Sequence, residues 1–240
     1  MKDLSRKRAE KWSRESAFYV WRVLAIIMKT RLILIRHGES LGNSKRIILG
    51  HTDWDLSELG YRQAELAREA LADRHVDAVY SSDLIRAYNT VLPMASSRGL
   101  AVTKDTSLRE LFVGDWEGRE VHDLIDTYGD LYLVDWRQHF GTFTAPGGES
   151  VIALGERIER ALANIAEKNP GKTLIIGLHA AAIRSFWGRI CGVSPEDLAD
   201  AYPFPTNASF SEVDYEDGRF YPIAYSCDSH LQDLVTAFNS

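Results

Sequence analysis

Arg36-His37-Gly38-Glu39-Ser40 is the stretch of this chain best equipped for chemistry. An arginine beside a histidine, followed at once by a glycine, suits an anion held close to the backbone. Arg36 carries a planar, permanently charged fork that matches phosphate oxygens. His37 carries a ring nitrogen that can act as a nucleophile near neutral pH. Gly38 lets the chain turn sharply and lets backbone N–H groups approach a ligand. A lone histidine after a strand is ordinarily structural, so the weight falls on its company. The pentapeptide directly follows Leu32-Ile33-Leu34-Ile35, an aliphatic run that reads as a buried strand of a parallel sheet. It would leave that strand at its carboxyl end, where open α/β sheets place their ligands.

Further blocks follow in order. They are Leu56-Ser57-Glu58-Leu59-Gly60 with Gln63-Ala64, Ser81-Ser82-Asp83-Leu84-Ile85-Arg86-Ala87, and Leu108-Arg109-Glu110 ahead of Gly114-Asp115-Trp116-Glu117-Gly118. Pro146-Gly147-Gly148-Glu149-Ser150 comes next, then Leu178-His179 with Ile183-Arg184. Together with the pentapeptide these blocks resemble the histidine phosphatase (phosphoglycerate mutase-like) superfamily, over roughly residues 29 to 235.

The resemblance implies a three-layer α/β/α sandwich with a mostly parallel central sheet. It implies that His37 accepts a phosphoryl group, and that Glu110 protonates the leaving oxygen and then deprotonates the attacking water. Arg36, Asn43, Arg86 and His179 would bind the phosphate, and the adjacent guanidiniums would keep the His37 ring neutral. No metal and no cofactor is implied, because the guanidiniums supply the positive charge. The chain departs from the family pattern at Ala180-Ala181, where two glycines are usual. Alanine at a helix N-terminus still offers its backbone N–H.

The activity expected is hydrolysis of a small phosphorylated metabolite by a metal-independent phosphomonoesterase, through a phosphohistidine. The connection from Gly118 to Pro146 is short and lacks the paired arginines and proline run of the mutase branch. Phosphoglycerate mutase-type transfer is one alternative. A catalytically impaired protein that binds a phospho-ligand is the other. Specificity would come from about Ile47 to Trp54, from the excursion over residues 120–145 and from Ala201 to Asn207. His51 reads as a solvated loop residue, and Tyr132, Trp136, Phe140 and Phe143 as core packing rather than a cap on the pocket.

The elements that must position these residues alternate. Helical spacing marks residues 57–74, 84–97, 121–140, 150–168 and 180–191, with Pro93 a kink in the second. Strands are expected at 76–80, 101–103 and 173–178, besides the aliphatic run before Arg36. A hairpin is expected around Glu216-Asp217-Gly218. Alternating strands and helices with one late hairpin give an α/β sandwich.

Composition bounds the rest. The 240 residues suit one domain of ordinary size, spanning residues 29–240 after an extension over 1–28. The net charge of −6 argues against a nucleic-acid partner. Cys191 and Cys227 read as small buried hydrophobes in a reducing, cytoplasmic setting, and a homo-oligomer stays open. The extension is basic up to Arg14 and largely apolar from Phe18 to Met28, interrupted by Arg22. It lacks a cleavage pattern and is too short to span a bilayer. Either it forms an amphipathic helix, or Met28-Lys29-Thr30 marks the natural start.

Overall fold

The computed structural model describes residues 28–129 and 131–236. The expectations for residues 1–27 lie outside the described residues. A six-stranded sheet forms the centre, in the order β3-β2-β4-β1-β5-β6. Its strands are β1 (Thr30–Arg36), β2 (Ala78–Ser81), β3 (Val102–Lys104), β4 (Thr173–Leu178), β5 (Phe210–Glu216) and β6 (Arg219–Cys227). The first four run parallel to one another, while β5 pairs antiparallel with β1 and β6 antiparallel with β5.

Alternation along β1 builds the two cores. Leu32 and Leu34 face one layer with Leu174, Ile176 and Leu178, whereas Ile33 and Ile35 face the other with Ile175 and Val79. All of these are at most 1% exposed, because helices cover both faces. On the Ile33 side pack α1 (Glu58–Ala70) and α2 (Ile85–Ser96). On the Leu32 side pack α4 (Val151–Glu167) and α5 (Ala180–Ile190). Ser57 and Ser150 cap α1 and α4, accepting from the N–H groups of Gly60 and Ala153. α2 runs unbroken through Pro93.

The long helix expected over 121–140 does not form. α3 covers only Val121–Tyr128 and stops at Gly129, which takes φ of 50° and closes the last turn on Ile125 O. A turn of π-helix at Leu131–Trp136 and a 3₁₀ turn at Phe140–Thr142 follow. Gly129 sits at the break, because a residue at positive φ cannot continue the helix. Tyr132, Trp136 and Phe143 beyond it all pack around buried Trp116, with ring centroids 5.0–6.1 Å away. Their reading as core residues holds, and Trp136 has a second role described below.

The hairpin forms as expected. Asp217 and Gly218 both adopt positive φ, 51° and 76°, as a two-residue turn between right-twisted strands requires. Among the described residues no helix is long and apolar enough to cross a membrane. Cys191 and Cys227 are unpaired and half-buried rather than fully buried.

Candidate active site

Strand register brings the two central histidines together. Arg36 pairs with Leu178 across parallel β1 and β4, so His37 and His179 emerge at the same level from adjacent strands. Their ring centroids lie 5.3 Å apart, close to the spacing of neighbouring strands. β2 ends at Ser81 beside Gly177 and feeds the first turn of α2, which carries Arg86. Edge strand β3 leads through a 3₁₀ turn at Thr106–Leu108 to Glu110. All four parallel strands thus deliver one part of the site to the carboxyl edge of the sheet. Gly38 is needed where β1 ends: an added Cβ would meet the carbonyl oxygen of Gly60 at 2.6 Å.

A cleft of about 580 Å³ opens at this edge, lined by Arg36, His37, Asn43, Arg86 and Glu110. His179 is absent from its lining and wholly buried against His37. His37 Nδ1 lies 2.7 Å from Gly38 O, and a carbonyl only accepts, so Nδ1 carries the proton. In the neutral ring the Nε2 lone pair is then free. Burial, and after it the charges of Arg86 and Arg36, hold the His37 pKa well below 6.5. The guanidinium effect expected from the sequence is present, but desolvation is the larger cause. Burial also depresses His179, helped by Arg86.

This has a consequence for stability. Both histidines are buried and neutral, so the unfolded chain, with ordinary imidazoles, binds more protons below about pH 6.5. Their contribution is complete well above that value and is lost as pH falls through it towards the folded pKa. The unfolding free energy should therefore decline as pH falls below about 6.5. His230, also depressed by burial, acts in the same sense. Urea unfolding at pH 6 and pH 5 checks this, and equal stabilities there contradict a buried neutral pair.

Arg36 and Arg86 are each 1% exposed, and burial pushes both down to about 10, so they remain charged at neutral pH. Backbone carbonyls hold them. Arg36 donates to Pro205 O, and Arg86 donates to Gly50 O at 2.6 Å and to Thr52 O at 2.9 Å. Six buried side-chain polar atoms lack a partner among the described residues, and three of them are Arg36 Nε and both nitrogens of His179. Buried polar groups are ordinarily satisfied, so this cluster marks where a polar ligand belongs. Asn43 Oδ1 accepts from Ser40 N at 3.1 Å, which fixes the amide and leaves Nδ2 as the donor in the cleft.

The Glu110 carboxylate sits on the N-terminus of α5. Its Oε1 accepts from Leu111 N and Ala182 N at 2.9 and 3.0 Å, and its Oε2 accepts from Ala181 N at 3.1 Å. Oε2, with one partner, is the oxygen with room for a proton. Ala180 lines the cleft and Ala181 is 3% exposed, so the alanine pair leaves the helix N–H groups in place.

Several supporting residues escaped the sequence reading. His51 is no solvated loop residue: its Nε2 donates to Glu110 O at 2.8 Å. Arg157 donates to Ser107 O, Arg109 O and Glu110 O while paired with Glu149, clamping the Glu110 loop from α4. Glu117 accepts from His51 N, Thr52 N and Val113 N, joining that loop to the one that holds Arg86. Asn207 donates to His37 O at 3.1 Å. The Gly-Asp-Trp-Glu-Gly block contained a clue, since an acidic residue between glycines at a turn suits a backbone anchor. Nothing in local spacing pointed to Arg157.

The family model of the histidine phosphatase superfamily (branch 1) matches residues 32–228. The chain belongs to this superfamily. It is 31% identical over 205 residues to phosphoserine phosphatase 1 of Hydrogenobacter thermophilus, covering 85% of this chain and 95% of that one. It is 32% identical over 203 residues to a probable phosphoglycerate mutase of Yersinia pestis, covering 83% and 91%. Among solved structures, mycobacterial glucosyl-3-phosphoglycerate phosphatase in complex with VO₃ superposes with a TM-score of 0.76. That match is 28% identical and covers 82% of this chain and 99% of the other. The three-layer architecture of this histidine phosphatase is therefore the one its relatives share.

Proposed function

We propose that this chain hydrolyses phosphate monoesters of small metabolites without a metal, through a phosphohistidine on His37. His37 Nε2 attacks phosphorus, an N–P bond forms and the ester P–O bond breaks. The proton on Glu110 Oε2 passes to the departing alkoxide. Water then attacks phosphorus and gives its proton back to Glu110, and the N–P bond breaks to release phosphate. Arg36, Arg86 and Asn43 Nδ2 face the equatorial oxygens from the cleft lining, and His179, behind them against His37, is assigned to the phosphate by its two unpartnered ring nitrogens. Two buried guanidiniums in a water-poor site supply the charge stabilisation that phosphoryl transfer needs. The observation that carries this reading is the cluster of unpartnered buried nitrogens on Arg36 and His179 beside the free lone pair of His37.

The test is turnover of alkyl and aryl phosphates with excess chelator. The expected result is steady phosphate release that chelator leaves unchanged. Loss of activity with chelator, restored by added Mg²⁺ or Zn²⁺, overturns metal independence. Phosphoryl return to the substrate is the second reading, favoured by the mutase relative. Incubation with 3-phosphoglycerate and a trace of the bisphosphate separates the two: 2-phosphoglycerate signals transfer, free phosphate signals hydrolysis. The intact set of His37, Arg36, Arg86, Glu110 and His179 weighs against a role in binding alone. The two unpaired cysteines support a reducing, cytoplasmic setting.

A further inference from the structure

The cleft is lined by two kinds of side chain. Its charged lining groups, Arg36, Arg86 and Glu110, belong to the proposed phosphate site. The rest of the lining is largely hydrocarbon: Ile47, Ile48, Leu49, Leu111 and Val113, with the rings of Trp136 and Phe204.

These walls are built firmly. Ile47 N donates to Gly42 O and Ile48 N to Arg119 O, each at 2.9 Å. Phe204 stacks on Trp136 with centroids 6.1 Å apart, and the Arg184 guanidinium lies 4.3 Å from its ring. Three arginines near the cleft are already committed. Arg184 donates to Tyr202 O and Ala199 O, Arg109 is paired with Asp83, and Arg157 with Glu149. Among the described residues, no lysine or arginine side chain beyond Arg36 and Arg86 lines the cleft.

We propose that the leaving-group side of this cleft selects phosphate monoesters of uncharged, apolar alcohols and rejects alcohols that carry a carboxylate. A carboxylate placed there would lose water against aliphatic and aromatic side chains without gaining a cation. An alkyl or aryl group instead exchanges water for hydrocarbon, worth about fourfold in affinity per buried methylene. The inference deepens the phosphatase reading and rests on it only for the location of the phosphate.

Phosphonates carry a C–P bond and are not hydrolysed, so their binding tests the walls apart from catalysis. Calorimetric titration of the full chain with methyl-, ethyl-, propyl- and butylphosphonate should show affinity rising about fiftyfold across the series. 3-Phosphonopropionate, similar in length but carboxylated, should bind at least tenfold more weakly than butylphosphonate. In Phe204→Ala the butyl-to-methyl affinity ratio should fall below tenfold. A ratio taken within one variant is insensitive to partial unfolding. Ile47→Arg should shift preference towards 3-phosphonopropionate. A flat alkyl series overturns the inference, as does 3-phosphonopropionate matching butylphosphonate or no phosphonate binding at all. If the alkyl series behaves as expected but no ester is hydrolysed, the phosphatase reading fails and the wall assignment stands.

Discussion

His37→Ala is expected to lower phosphate monoester hydrolysis by at least about 10⁴-fold and to abolish the covalent intermediate. The bond from Nδ1–H to Gly38 O leaves Nε2 as the available lone pair, and burial with two nearby guanidiniums keeps the ring from protonating. No neighbouring group can replace it: His179 lies 5.3 Å away, centroid to centroid, and is wholly buried outside the cleft lining. Rapid quench in alkali, which preserves a phosphohistidine, should trap label on the wild type and none on the variant. The alanine removes one hydrogen bond and a ring, so the variant should still unfold cooperatively in urea. A variant keeping a hundredth of wild-type activity would rule out covalent catalysis at this residue.

Glu110→Gln is expected to slow alkyl phosphates by about 10²–10⁴-fold, the range for loss of a positioned acid or base. The amide oxygen can still accept from Leu111 N and Ala182 N, while the new NH₂ group loses the bond with Ala181 N. The more telling readout is the dependence on the leaving group. Dinitrophenolate departs without a proton, so formation of the phosphoenzyme should remain fast with dinitrophenyl phosphate. Its breakdown still needs a base. The variant should therefore release one equivalent of dinitrophenol per site in a burst and then turn over slowly. A purely structural glutamate would instead slow every substrate alike and give no burst.

Much of the site was legible because it depends on local order. Arg36-His37-Gly38 directly follows a run buried on both faces, and His179 directly follows another. A fully aliphatic strand of that kind belongs in the middle of a parallel sheet, and its carboxyl end is then fixed in space. The hairpin at Asp217-Gly218 was legible for a similar reason, since residues that tolerate positive φ advertise the turn.

The excursion after Glu120 departs from a single helix where Gly129 takes positive φ, and its rings pack on Trp116, a partner outside the local window. His51 looked like a loop residue because its partner, the Glu110 carbonyl, lies 59 positions along the chain. Arg157 faced the same obstacle, with its three carbonyl partners 47 to 50 positions away.

Side-chain type and short-range pattern are enough to single out the candidate groups of the site and to place them at the ends of buried strands. How those groups are tuned, and what they face, depends on packing between distant segments. The tautomer of His37, the seat of Glu110 on the helix amides and the hydrocarbon walls of the cleft all depend on residues distant in sequence. Such contacts form only when packing brings separate elements together, and nothing within a local window encodes the distance between them.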